Sequence, residues 1–120
     1  MFFAAKEAGD GSISALRLSY YRRNTDKDRA FHTCELRKTE GYYLAAEGAD
    51  PIPDMVGDTW YSMCIEKKKS EVSFSINGLK ILEFSDDGRS YGEVLTGGSI
   101  GLGQGGDTVA LYRNLSVTWI

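Results

Sequence analysis

Residues 71–84 have the sequence EVSFSINGLKILEF, and this stretch decides the fold class. Every second residue from Val72 to Ile76 is apolar, which is the period of a half-buried β-strand. Asn77-Gly78 follows at once and leads into a second apolar run at 79–84. An Asn-Gly connection supplies the positive φ that both positions of a tight hairpin turn require. We therefore predict two antiparallel strands joined by a two-residue turn.

The same alternation recurs along the chain, and no window has a convincing helical period. Further strands are predicted at 2–5, 13–21, 30–37, 42–46, 59–66, 99–104, 108–112 and 115–120. Strands at this spacing, separated by turn-forming residues, are typical of sandwiches and barrels. We predict one all-β domain over residues 1–120, an antiparallel β-sandwich. In its last strand, Trp119 is expected in the core with Leu115 and Val117.

The composition of the chain argues against some classes of binding partner. The chain has 120 residues, 42% of them apolar, and a net charge of −3. This charge argues against nucleic acid, because domains that bind it are usually basic. No apolar run approaches the roughly 18–20 residues that cross a bilayer, so no membrane association is predicted. Two cysteines, Cys34 and Cys64, form no disulfide framework, and we expect unpaired thiols in a cytoplasmic protein.

A cluster of arginines marks the candidate ligand-binding face. If Leu16 and Leu18 point into the core, alternation places Arg17, Tyr21 and Arg23 on the opposite face. The next strand contributes Glu35 and Arg37 as candidate neighbours across the sheet. Guanidinium groups bind carboxylates in a bidentate way, so such a face suits acidic sugars. The alternative is a solvated face on which the arginines pair with acidic residues: Glu35, Asp26 and Asp28.

Other polar and aromatic residues carry weaker signals. His32 is the only histidine, which excludes a multi-histidine metal site, and no metal or other cofactor is predicted. Asp86 and Asp87 follow a strand, where a solvated loop is favoured over a catalytic pair or a calcium site. Trp60 is a candidate sugar platform, although a structural role is favoured.

Several motifs resemble a known family: LSYYRR at 18–23, RAFHTCELRK at 29–38, GADPIP at 48–53, FSING at 74–78 and GGSIG at 97–101. They are similar to the YesU-like bacterial family of unknown function, found in gene clusters for the breakdown of rhamnogalacturonan and related pectins. The resemblance implies a concanavalin A-like jelly roll and a carbohydrate context, without a defined reaction. YesU-like proteins are longer, so we expect an N-terminal part to be absent and the sandwich to be incomplete. Unpaired edge strands would then favour a homodimer.

Three functional hypotheses follow. The first is binding of an acidic plant oligosaccharide of the rhamnogalacturonan or pectin type by Arg17, Tyr21, Arg23, Glu35 and Arg37. The second is a polysaccharide lyase or glycoside hydrolase, with Glu35 and Tyr21 or Tyr43 as acid and base, Arg37 stabilising negative charge and His32 as a weaker candidate. The third is a non-catalytic structural or assembly subunit, or a truncated remnant.

Overall fold

The computed structural model of the chain describes residues 1–7, 9–20, 33–38, 43–49, 59–103 and 109–118, and eight β-strands lie within these ranges. The strands are β1 (Phe2–Glu7), β2 (Ile13–Tyr20), β3 (Thr33–Lys38), β4 (Tyr43–Ala49), β5 (Met63–Lys68), β6 (Glu71–Ile76), β7 (Leu79–Ser85) and β8 (Ser99–Gly101). No helix occurs among the described residues.

Two antiparallel sheets pack face to face around one core. The first sheet has the order β4-β3-β2-β1-β8, and the second has the order β5-β6-β7. The five-stranded sheet contributes Leu16, Leu18, Cys34 and Leu36 to the core, and the three-stranded sheet contributes Val72, Phe74, Ile76, Leu82 and Phe84. Burying each large apolar side chain stabilises the fold by about 1.5–3 kcal/mol. The predicted all-β sandwich is confirmed.

The hairpin predicted from residues 71–84 forms β6 and β7. Asn77 and Gly78 have φ angles of 50° and 80°, as a tight two-residue turn requires. Asn77 also ties this turn to the segment before β5, because its backbone N–H donates to the Ser62 carbonyl at 2.8 Å and its side-chain oxygen accepts from the Ser62 N–H at 2.9 Å.

Strand β8 docks on β1 through a close backbone approach. The register of β1 shifts between Phe3 and Lys6, and Ala4 lies in this irregularity with a φ of 50°. Gly98 comes immediately before β8, and a Cβ at that position would lie 2.5 Å from the Ala5 carbonyl oxygen. The glycine therefore permits the strand to approach the irregular part of β1.

The predicted bounds of several strands need correction. The strand predicted at 30–37 extends to Lys38, which is buried, and the strand predicted at 99–104 ends at Gly101. The strand predicted at 59–66 begins only at Met63 and continues to Lys68. Cys64 on this strand is exposed, whereas Cys34 on β3 is buried.

The two C-terminal strands predicted at 108–112 and 115–120 are wrong for the residues that the structure describes. Residues 109–118 belong to neither sheet, and their apolar side chains are exposed, Val109 at 90% and Leu111 at 79%. Leu115 and Val117, which were expected in the core, are 59% and 61% exposed. A strand needs a neighbour to pair its backbone groups, and the described strands provide none for this segment. The predicted core position of Trp119 lies outside the described residues.

Candidate functional site

The outer face of the five-stranded sheet brings two of the predicted arginines together. Arg17 on β2 stands directly opposite Arg37 on β3, and Ser19 stands opposite Glu35. Directly opposed residues of an antiparallel pair project from the same face, with Cβ atoms about 4.5–5.5 Å apart. The core residues of these strands project from the other face. Tyr21 and Arg23, predicted to extend this outer face, lie outside the described residues.

Glu35 holds the guanidinium of Arg37. The Arg37 Nε donates to Glu35 Oε2 at 3.1 Å, and Nη2 lies 3.0 Å from the same oxygen. The Glu35 side chain is only 8% exposed, against 31% for Arg37, although it projects away from the core. Partial burial strengthens this pair relative to one in open water, so Glu35 restricts the orientation of the guanidinium.

The register of β4 is irregular beside this pair. Leu36 stands opposite Ala46 but Arg37 stands opposite Leu44, so β4 carries an extra residue at this point. Bulges of this kind increase the local twist and are frequent beside functional sites, where they change the direction of side chains.

Of the other acid–base candidates, only Tyr43 lies in the described part of the chain, and its backbone is not adjacent to Glu35. Tyr43 on β4 stands opposite Lys38, three residues along β3 from Glu35. At about 3.3 Å per residue this separation is about 10 Å along the strand. His32 lies outside the described residues.

A buried ion pair joins the two sheets and was not predicted. Lys38 Nζ lies 2.5 Å from Asp86 Oδ2 and donates a second hydrogen bond to the Gly92 carbonyl at 2.9 Å. The two side chains are 0% and 3% exposed. The expected solvated loop is therefore wrong for Asp86, whose carboxylate is enclosed between the sheets. Nearby, burial lowers the pKa of Lys67 on β5.

Asp87 organises the loop that follows. Its Oδ1 accepts the backbone N–H groups of Arg89 and Ser90 at 2.8 Å each, and its Oδ2 accepts the Ser90 hydroxyl. These bonds lower the pKa of Asp87 to about 2, and the bond from the Ser90 hydroxyl has the largest effect. Both aspartates of this loop thus serve the fold as hydrogen-bond acceptors. Within the described ranges, no group of three or more histidine, cysteine, aspartate or glutamate side chains is arranged to hold a metal ion.

Trp60 is half exposed, and Arg113 lies over its indole ring with the guanidinium carbon 3.9 Å from the ring centroid. Such cation–π contacts contribute about 0.5–1 kcal/mol at exposed sites. No local pattern predicts this contact, because the two residues are far apart in the chain. In the described part of the chain, no helix has the length and apolar character needed to cross a bilayer.

Comparisons with known proteins bear on the fold and on the family. The family described as "Domain of unknown function (DUF1961)" matches residues 4–117. The "Uncharacterized protein YesU" of Bacillus subtilis (strain 168) is 52% identical over 112 residues, which are 92% of this chain and 51% of that protein. A crystal structure of a protein of unknown function with a galectin-like fold, also from Bacillus subtilis, matches with a TM-score of 0.66 and 46% identity over 78% of this chain and 52% of that chain. The chain thus spans about half the length of these relatives. The matches confirm the resemblance and the jelly-roll sandwich predicted from the sequence.

Proposed function

This chain belongs to the DUF1961 family of domains of unknown function, and from that premise we propose that it binds acidic oligosaccharides on the outer face of its five-stranded sheet. The observation that carries the proposal is the direct opposition of Arg17 and Arg37 on that face. The galectin-like fold of the solved relative supports carbohydrate as the ligand class. The family's pectin context favours uronate-containing fragments of the rhamnogalacturonan type.

Arg17 and Arg37 share the outer face with the carboxylate of Glu35, which pairs with Arg37. Like charges directly opposite each other destabilise a pair of strands, and Glu35 offsets part of this effect. A ligand carboxylate bound beside the two arginines would offset more of it, because a guanidinium offers the planar pair of donors that a carboxylate accepts. A uronate unit carries such a group, whereas a neutral sugar does not.

Glu35 acts in this proposal as a positioning residue. Its side chain is 8% exposed and its Oε2 is engaged by Arg37, so it orients the guanidinium rather than accepting a hydrogen bond from the ligand. A fixed guanidinium loses less conformational entropy on binding than a mobile one, so Glu35 favours ligand binding through Arg37. Tyr21 and Arg23 remain proposed contacts on the same face.

The test is calorimetric titration with oligogalacturonates and with neutral galactose oligomers of the same length. We expect the wild-type chain to prefer the acidic ligands, and Arg17→Ala and Arg37→Ala each to weaken their binding about ten-fold or more. Arg89→Ala is the matched control, because it removes an arginine from the loop after β7 and should leave the affinity unchanged. Equal affinity for acidic and neutral ligands, or equal affinity of all four proteins, would contradict the proposal.

Acidic polysaccharides also distinguish a lyase from a protein that only binds them. Elimination from a uronate produces an unsaturated sugar that absorbs in the ultraviolet, whereas binding alone produces none. The engagement of Glu35 by Arg37 and the distance to Tyr43 along the strands favour binding without turnover. We therefore expect no increase in absorbance during long incubation with rhamnogalacturonan.

A reducing compartment is proposed for the chain on the basis of its thiols. No disulfide joins Cys34, which is buried, to Cys64, which is exposed, and structural disulfides are rare in the cytoplasm. Fractionation of cells that express the chain would test this location.

A further inference from the structure

Residues 109–118, the C-terminal segment, have the sequence of a half-buried strand but the exposure of a loop. Their sequence is VALYRNLSVT, and the odd-numbered positions other than Arg113 are apolar. This alternation is typical of a strand with one face covered. The four apolar side chains are instead exposed to solvent: Val109 90%, Leu111 79%, Leu115 59% and Val117 61%. Exposed apolar groups collected in one segment mark interaction surfaces.

One contact places the C-terminal segment next to the residues that lead into β5. Its Arg113 stacks on Trp60, which comes three residues before β5. Among the described strands, β5 pairs only with β6 and therefore lies at the edge of the order β5-β6-β7. An edge strand has unpaired backbone donors and acceptors along one side and can receive another strand there.

The three-stranded sheet is also too narrow to cover its opposite layer. Neighbouring strands lie about 4.8 Å apart, so a sheet with two strands fewer is narrower by about 10 Å. Strand β7 contacts β4 at one side of the sandwich, which leaves β1 and β8 beyond the reach of β5 at the other side. Phe2 on β1 pairs with Gly101 on β8 and with Arg17 on β2. Gly101 therefore lies on the outer face with Arg17, and alternation places Ile100 on the core side. Ile100 is nevertheless 40% exposed.

We propose that the C-terminal segment and the edge of β5 form a docking surface for further β-strands, which continue the three-stranded sheet and cover the core side of β1 and β8. The occupant is a polypeptide equivalent to the part of the YesU protein that lies outside its match to this chain. Nearly half of that protein's length lies outside the match, which is enough for several strands of ordinary length. The same sheets at 52% identity would be covered there by the protein's own chain.

A second copy of this chain fits the surface less well. It would bring another three-stranded sheet of the same width, together with its own uncovered β1 and β8. The relative's additional length supplies new strands without adding a second uncovered layer.

The test is co-expression of the tagged, full 120-residue chain with the unmatched part of Bacillus subtilis YesU as an untagged polypeptide. We expect the two to co-purify as a 1:1 complex by analytical ultracentrifugation. Hydrogen exchange should slow in the C-terminal segment and in β8 when the complex forms, because strand pairing protects backbone amides. Absence of co-purification would overturn the proposal.

Charged substitutions locate the contact. Leu111→Asp and Val117→Asp should each weaken capture about ten-fold or more, since each places a charge where an apolar side chain is buried in the complex. Ile13→Asp is the matched control, because Ile13 is 52% exposed but lies on the outer face, in step with Arg17. Equal capture of the three variants would overturn the proposal. A stable dimer of the chain alone that protects the C-terminal segment would assign the surface to a second copy, the homodimer expected from the sequence.

Discussion

At the scale of single residues, the buried pair of Lys38 and Asp86 shows that a charged residue can occupy an inward-facing position of a strand pattern. Lys38 continues the inward alternation of Cys34 and Leu36, and Asp86 continues that of Leu82 and Phe84. Asp86 was predicted to lie in a solvated loop, and the predicted strand ended one residue before Lys38. Continued alternation would have placed both side chains on the inner face, where two opposite charges at the ends of two inward-facing series indicate a contact between the sheets. A buried charge is tolerated only when it is paired, as these two are.

Removing the lysine of this pair should leave a carboxylate buried without its partner. We expect Lys38→Met to lower the free energy of unfolding by about 3–5 kcal/mol, and Lys38→Met with Asp86→Leu to recover most of the loss. Urea denaturation of the three proteins measures the differences. Lys80→Met is the control, because Lys80 and Glu83 form a solvent-exposed ion pair, and such pairs contribute little to the free energy of unfolding. An equally small effect of Lys38→Met would mean that the buried pair has no structural role.

The low pKa of Asp87 predicts how the stability of its loop changes at acidic pH. Hydrogen bonds from Ser90 and Arg89 lower this pKa from 3.8 to about 2, so the folded loop binds its proton less readily than the unfolded chain does. The stabilisation is therefore complete above pH 3.8 and is lost as the pH falls through about 2. We expect carboxyl NMR titration to give this low midpoint, and Ser90→Ala to raise it.

Asp10 supplies the matched comparison. Its pKa is also lowered, first by a hydrogen bond from the Ser12 hydroxyl. Ser12→Ala should raise the pKa of Asp10 and leave that of Asp87 unchanged. If Ser90→Ala leaves the Asp87 midpoint in place, the hydroxyl is not the main cause of the shift.

At the scale of elements, the hairpin and the C-terminal segment mark what alternation can and cannot predict. Residues 71–84 contain both strands and the turn that pairs them, so local sequence was sufficient. Residues 109–118 alternate as clearly, but a strand exists only when another chain segment completes its hydrogen bonds. Alternation likewise predicted that Arg17 and Arg37 share a face of the sheet. It did not predict that Glu35 pairs with Arg37, because that contact depends on side-chain geometry.

The docking of β8 on β1 can be tested at Gly98. Gly97 and Gly98 both have positive φ angles, of 65° and 90°. A Cβ on Gly97 meets nothing within 4 Å, whereas one on Gly98 would lie 2.5 Å from the Ala5 carbonyl oxygen. We expect Gly97→Ala to destabilise the fold by about 1–2 kcal/mol from backbone strain and Gly98→Ala by about 2–4 kcal/mol, because a backbone shift is added. Thermal unfolding measures both, and equal losses would show that β8 can move away from β1 without penalty.

At the scale of the whole molecule, the sequence predicted two layers but not their widths. Alternation identifies the buried face of each strand, and this was enough to predict a sandwich. The assignment of strands to the five-stranded and three-stranded sheets depends on long-range pairing, such as that between β1 and β8, for which no local pattern exists. The five-stranded sheet is the wider of the two among the described strands, and Ile100 on its edge strand is 40% exposed.

The shared core predicts that the two sheets unfold together. Leu36 and Leu82 lie on opposite sheets, are 0% and 3% exposed, and belong to the same apolar cluster. Leu36→Ala and Leu82→Ala should each reduce the free energy of unfolding by about 2–5 kcal/mol, whereas Leu115→Ala, at an exposed position, should change it by less than about 0.5 kcal/mol. Urea denaturation followed by NMR through amides of β2 and β6 should give one midpoint for both strands in every variant, because neither sheet retains a buried face without the other. A lower midpoint confined to β2 in Leu36→Ala would mean that the three-stranded sheet is stable by itself, and the common core would not be what holds the layers together.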